Sequence, residues 1–361
     1  MTQRTILHHT GLECSGGATR VARLLLDGLA GQGADARLSF EHAEREGSIP
    51  TLPADFGDSL ADGFLPHVHC TGNWPELLAS MPEGQEVVIT LHDCELFTGG
   101  CPYPLHCPTL DEDCANPCPR RFSRSAEIRK LKHQLLDRLS PVLVAPSRWL
   151  ARLAKSHLFR NVMVIPNGIP WPERTPSKRE ARAALGIHPA VHVVLFAAHG
   201  GTGAAYKSGD RWLDIWKEVK RQVPETLGFA VGGDAEGREG DLVIWPYVER
   251  DRLGLLMAAA DLLLYPTRAD NHSLVILEAM AHSLPVVSFD VGGVSEQILN
   301  DHTGALVPAG DMAAFVETSV RLLKSSTLLS DMGRTAFSTG QRRFTVERMV
   351  RDYDAVYRKF E

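Results

Sequence analysis

The chain has 361 residues and a mass of 39.6 kDa, too long for one ordinary core and suited to two domains of about 150–200 residues each. Its 44% hydrophobic and 23% charged residues exclude disorder, and its net charge of −6 excludes bulk electrostatic attraction to nucleic acid. MTQRTILHHT has no apolar h-region and no run of about 18 apolar residues follows, so a cytoplasmic location is expected.

The first predicted strand, TILHH (5–9), leads into SGGATRVARLLLDGLAGQG (15–33). Gly16 and Gly17 there let backbone approach a ligand closely and aim helix-end N–H groups at a phosphate; a plain strand-to-helix turn is the alternative. The next predicted strand, VVITL (87–91), ends at His92 and Asp93. Behind it, Cys101, Cys107, Cys114 and Cys118 stand in a C-x5-C-x6-C-x3-C spacing within a Pro-rich insertion, about 98–119. Four thiolates so close fit a tetrahedral structural zinc, which would stabilise a segment with no core of its own. Disulfides and unligated thiols are the alternatives, and His106 is a substitute ligand. Cys14, Cys70 and Cys94 read as buried small side chains.

Residues 120–133 carry six Lys or Arg against Glu127 alone. Such a run suits anionic lipid or a lipid-linked diphosphate acceptor at the inner membrane face, or is simply a solvated helix face. Strands VLVA (142–145) and VMVIP (162–166) follow; then four prolines between 166 and 176 block helical continuation, which places a domain boundary near residue 170. Ser177 and Glu180 make a capping-box start for a helix ending near Gly186.

Five apolar runs come next: HVVLFAA (192–198), LGFAVGG (227–233), LVIWPY (242–247), DLLLYP (261–266) and PVVSF (285–289). Bounded by Gly and Pro, they read as buried parallel strands, and Trp212, Trp216 and Val219 give the helix at 208–222 one apolar face. AHGGTGAAYKSGD (198–210) puts Lys207 near a helix start, where it can neutralise a phosphate. In ADNHSLVILEAMAHSLPVVSFDVGG (269–293) a helix begins about Ser273. Its rise places Asp270 and Glu278 roughly 10–12 Å apart, with the N–H groups of residues 272–275 between them. Glu278 suits the diol of a ribose and Asp270 a sugar; an ordinary helix with two unrelated carboxylates is the alternative.

Residues 262–293 resemble the nucleotide-sugar site of the family-4 retaining glycosyltransferases of the GT-B fold, with Asp270, Glu278-Ala-Met-Ala, Pro285-Val-Val and Asp290-Val-Gly-Gly in order. GGATR (16–20), LHD (91–93), PSRWLA (146–151), VIPNGI (164–169) and the K-x-G at 207–209 agree. The TGGC insertion resembles an exopolysaccharide or colanic-acid-like branch. The resemblance implies two Rossmann-like parallel-sheet α/β domains facing across a cleft. An acceptor domain would span 1–169, a donor domain 170–341, and a C-terminal helix 342–361 would pack back on the N-terminal domain. It further implies a nucleoside-diphosphate sugar as donor, a hydroxyl acceptor (glycan, lipid-linked or small molecule) and retention of configuration; no catalytic metal is expected, because the donor-site motifs account for phosphate binding without one. By position, His92, Asp270 and Glu278 are the catalytic set, and Gly16, Gly17, Lys207, Asn271, His272, Ser273, Leu274 and Glu278 hold the donor. Asp270 stands where many relatives have glutamate. The arginine that many relatives carry upstream of the lysine is missing, which leaves the phosphate charge to Lys207 and the helix end, aided by Arg268 or Arg20. A sugar-nucleotide epimerase or phosphorylase, or a non-catalytic nucleotide-sugar binder, are the competing functions.

Overall fold

The computed structural model describes residues 4–61 and 63–360; the first residues of the predicted acceptor domain and the last of the C-terminal helix, 1–3 and 361, lie outside it, as does Asp62. The chain divides into two compact units, Met1–Gly168 with Val346–Glu361, and Ile169–Thr345.

In chain order the first unit contains β1 (Thr5–Leu12), α1 (Gly17–Gly31), β2 (Ala36–His42), β3 (Phe64–Val68), α2 (Trp74–Ser80), β4 (Val88–Thr90), α3 (Ser125–Leu139), β5 (Val142–Ala145), α4 (Arg148–Leu158) and β6 (Val162–Val164). The second contains α5 (Lys178–Ala184), β7 (His192–Ala197), α6 (Gly209–Gln222), β8 (Thr226–Gly233), β9 (Gly237–Glu239), β10 (Leu242–Pro246), α7 (Arg250–Ala259), β11 (Leu262–Tyr265), α8 (Leu274–Ala281), β12 (Val286–Phe289), α9 (Val294–Gln297), β13 (Gly304–Val307), α10 (Met312–Leu323) and α11 (Ser326–Arg343). The chain then returns to the first unit as α12 (Val346–Tyr357), so the terminal helix starts four residues later than the predicted 342.

Each unit is built on one largely parallel sheet, as expected. The first sheet runs β2-β1-β3-β4-β5-β6, all pairs parallel; the second runs β13-β12-β11-β7-β8-β10-β9, with only β9 antiparallel. The nine strands read from the sequence are present, and β2, β3, β9 and β13 are additions.

The second unit's strands are apolar on both faces because helices cover both, and Val193–Phe196, Leu262–Leu264 and Val286–Val287 are all buried. The helix α6 buries Trp212, Ile215, Trp216 and Val219, one face at helical spacing. The helix α5 starts on the capping box formed by Ser177 and Glu180, each side chain accepting the other's backbone N–H.

The first unit's core is different. His8 and His9 on β1 and His67 on β3 are fully buried, and register sets His8 beside His67 on one face. The terminal helix closes that face: Tyr353 shares a hydrogen bond with Thr90 Oγ1 at 2.9 Å and Tyr357 one with His67 Nδ1 at 2.8 Å. Gly28 lets α12 approach, since a Cβ there would lie 2.4 Å from a methyl of Val350. A glycine inside α1 costs about 1 kcal/mol of helix propensity, which the packing of α12 offsets.

Candidate functional site

In the second unit, the loop after β7 and the loop after β11 meet where the Arg268 N–H donates to Tyr206 O at 2.8 Å. This brings Lys207 onto Asp270: its Nζ donates to Oδ2 at 2.5 Å, and the Tyr265 hydroxyl donates to the same oxygen at 2.7 Å. Asp270 is 6% exposed, so the pair is largely out of water and oriented from two sides. Lys207 and Asp270, expected to serve separate parts of a donor, therefore neutralise each other in this state. Arg268, one candidate to stand in for the missing arginine, is exposed and its backbone is tied to Lys207's loop.

The start of α8 lies at the same point. Its cap residue, Ser273, makes no capping hydrogen bond; its hydroxyl turns to the Tyr265 hydroxyl at 3.3 Å. A helix end without a side-chain cap keeps its partial positive charge for another acceptor. One correction follows: the Ser273 N–H, expected among the anion-holding groups 272–275, already donates to Gln297 Oε1 at 2.8 Å, and Gln297 Nε2 donates back to Ser273 O at 2.8 Å. That clamp leaves Leu274 and Val275 as the backbone candidates of α8. Asn271 and His272 are buried beside the clamp, and Glu278 is 9% exposed on α8. Gly292 explains the paired glycines of the motif: its φ is +58°, and a Cβ would sit 2.0 Å from Asp270 O, so only glycine lets the loop after β12 close on the Asp270 turn.

In the first unit, Gly16 adopts φ +88° at the start of α1, and Gly17 has open space around its Cα. The loop's N–H groups at Cys14 and Ser15 are already taken by the Glu44 carboxylate, at 2.5 and 2.9 Å. His92, half-buried at the end of the strand, is bonded through Nε2 to His69 Nδ1 at 3.1 Å, and His69 Nε2 to His8 Nδ1 at 3.0 Å. Burial holds all three imidazoles neutral, His8 down at about 3, His92 at about 4 and His69 well below the usual value. Asp93 accepts the Glu95 N–H at 2.7 Å and so shapes the turn; burial raises it to about 6, and raises Glu95 to about 7.

The four insertion cysteines line one cavity together with Arg120 and Ser125. Burial pushes the Cys101 thiol up to about 11. Burial also acts to raise Cys118, but N–H donors of Phe122 and Arg120 and the Ser125 hydroxyl outweigh it and hold this thiol below its ordinary value. All seven cysteines are free. The four share this cavity but their sulfurs are not gathered as a metal site: among the described residues only His8, His67 and His69 bring three donor atoms within 4.8 Å of one another. His106 is exposed and does not line the cavity. Cys94 is buried as expected, whereas Cys14 and Cys70 are partly exposed.

The basic run is also corrected. Arg129 and Lys132 turn inward, 3% and 1% exposed. Arg129 donates to Leu110 O at 2.6 Å and Lys132 to Glu95 O, so they fasten the insertion and the turn after β4 to α3. Sequence reasoning missed Tyr265, Gln297, His8 and His69. For Tyr265 there was a signal, a phenol at the carboxyl end of a strand; for the others the partners are set by sheet register or lie 24 residues away.

Comparisons with known proteins bear on the family and the fold. Residues 192–325 match the model of the glycosyl transferases group 1 family. The chain is 33% identical over 109 residues to an N-acetyl-alpha-D-glucosaminyl L-malate synthase of Bacillus anthracis, covering 30% of this chain and 29% of that one. The chain spans half or less of the first curated relatives it matches, 29%, 48% and 50%. Among solved structures, a sucrose-phosphate synthase of Thermosynechococcus elongatus has a TM-score of 0.76 at 18% identity, covering 99% of both chains. HepE of Anabaena in complex with UDP-glucose has a TM-score of 0.71 at 16% identity, covering 99% of this chain and 100% of that one. Among the described residues, no helix is long and apolar enough to cross a membrane. The fold is thus that of the GT-B glycosyltransferases, and residues 192–325 within it are similar to the glycosyl transferases group 1 domain.

Proposed function

We propose that the chain is a retaining glycosyltransferase that moves a sugar from a nucleoside-diphosphate sugar to a hydroxyl acceptor. The observation that carries this reading is the group of Lys207, Asp270 and Tyr265 at the start of a helix without a side-chain cap, with Glu278 on the same helix. A diphosphate arriving at that helix end competes with Asp270 for Lys207, and the released carboxylate, still held by Tyr265, accepts from sugar hydroxyls. Glu278 takes the ribose diol. As the sugar–phosphate bond breaks, negative charge gathers on the leaving diphosphate, where Lys207 and the α8 N–H groups stabilise it. No general acid is required for such a leaving group. The acceptor hydroxyl attacks on the face the diphosphate leaves, giving its proton to the departing phosphate oxygen, and His92 positions the sugar or acceptor. The complex of HepE with UDP-glucose supports a nucleotide sugar as donor.

Two subsidiary readings go with it. The four insertion cysteines hold a structural zinc, supported by their common cavity and by the lack of helix or strand from 98 to 124. Less than about half an equivalent of zinc per purified chain would refute that. Contact with anionic lipid or a lipid-linked acceptor rests on Arg121, Arg124 and Lys130, the exposed remainder of the basic run.

The deciding assay screens nucleoside-diphosphate sugars by thermal shift and then follows transfer to hydroxyl acceptors. Transfer with the donor's anomeric configuration preserved supports the reading. Donor turnover with no acceptor and no glycoside would favour an epimerase or phosphorylase, and binding without transfer or slow hydrolysis a non-catalytic binder.

A further inference from the structure

Two imidazoles in line behind a half-buried histidine restrict where the protons can be. A neutral ring has one N–H and one lone pair, so each ring-to-ring hydrogen bond needs one donor and one acceptor. In the chain His8–His69–His92 the middle ring uses both nitrogens, at 3.0 and 3.1 Å, and must donate on one side and accept on the other. Only two arrangements satisfy this, one running outward to His92 and one inward to His8. The far nitrogen of His8, Nε2, is buried and has no hydrogen-bond partner among the described residues. The inward arrangement would put a proton on it and orphan a buried donor, whereas the outward one leaves only a lone pair there; orphaned buried N–H groups are the rarer and costlier case.

We infer that the chain is polarised outward: His8 Nδ1–H donates to His69 Nε2, His69 Nδ1–H donates to His92 Nε2, and His92 is thereby held with its single proton on Nδ1. The inference rests on the reading of His92 as a transfer-site residue and makes His8 and His69 its positioning residues. With its lone pair committed to His69, His92 acts as a neutral donor through Nδ1 and cannot take the acceptor's proton. The alternative use of this cluster is a metal: His8, His67 and His69 bring one donor atom each within 4.8 Å. His67, however, is bonded through both nitrogens, to Tyr357 OH and Thr90 Oγ1, each at 2.8 Å, and offers no lone pair without breaking one of these.

The test is a long-range ¹H–¹⁵N correlation spectrum of the full chain with ¹⁵N-labelled histidine at pH 7, His92 being assigned by its loss in His92→Gln. The expected spectrum shows His92 protonated on Nδ1 and bare on Nε2. A proton on Nε2, an imidazolium, or a stoichiometric metal on the three inner histidines overturns the inference, and none of these readouts needs a variant in the core to fold. His69→Leu should leave His92 as a mixture of tautomers and lower kcat about tenfold, the loss of one buried hydrogen bond, with the donor KM unchanged. His69→Asn, whose amide can donate to His92, should restore the tautomer and most of kcat; equal kcat in the Leu and Asn variants would contradict the positioning role. His92→Ala with parental turnover would instead refute His92's part in transfer while leaving the tautomer assignment intact.

Discussion

The two units share an architecture and differ in what their sheets bury. The second stacks Val, Leu and Phe on both faces of β7, β11 and β12, while the first places His8, His67, His69 and Thr90 under Tyr353 and Tyr357 of the terminal helix. An apolar core is stabilised by area removed from water and tolerates any pH; a polar one is stabilised only while each group keeps its partner and its neutral form. The contrast therefore predicts that the units fail under different conditions.

Acid should separate them most strongly. Burial lowers the pKa of His8 to about 3 and of His92 to about 4, with His67 and His69 also well below 6.5. The unfolded chain thus binds more protons than the native one below pH 6.5, and the contribution of these groups, complete above that pH, is lost as pH falls. Asp93 and Glu95, raised to about 6 and 7, act in the opposite sense between pH 7 and their unfolded values near 4, but two carboxyls face four histidines. Hydrogen exchange at pH 7.5 and 5 should show β1, β3 and β4 losing protection while β7, β11 and β12 keep theirs; equal loss would abolish the contrast.

Next in size is the donor site. Glu278→Gln and Lys207→Met each remove a charged hydrogen-bonding partner worth about 1.5–3 kcal/mol, so kcat/KM for the donor should fall by about 10–150-fold without loss of first-unit stability. Gly292→Ala should cost the second unit about 1–3 kcal/mol and weaken donor binding, because the Asp270 turn must move; an unchanged melting curve would contradict the close approach. Smallest is Tyr357→Phe, which removes the hydroxyl from His67 and should cost the first unit about 1–2 kcal/mol, read as a lower midpoint in urea.

The same contrast explains what could be read from the sequence. Strands buried on both faces are written as apolar runs, so β7, β8, β10, β11 and β12 were legible. The strand β3, FLPHV, was not, although it lies in the middle of its sheet: Pro66 argues against an interior strand, and His67 is polar until its two hydroxyl partners are supplied by β4 and α12. The strand β13, GALV, begins on a glycine that fits under Val286 O and so shows no continuous apolar run. At the site, Lys207, Asp270 and Glu278 could be picked out by spacing and resemblance. The ion pair between the first two, 63 residues apart, and the Gln297 clamp depend on how loops from different strands meet, which no local pattern encodes.

Calorimetric titration of the full chain with UDP, GDP and ADP, repeated on Lys207→Met and Glu278→Gln, tests the donor site most directly. Saturable binding of one nucleoside diphosphate to the parent chain, weakened at least tenfold by each substitution, is the predicted result. No binding of any of the three, or binding that both variants retain at parental affinity, would contradict it.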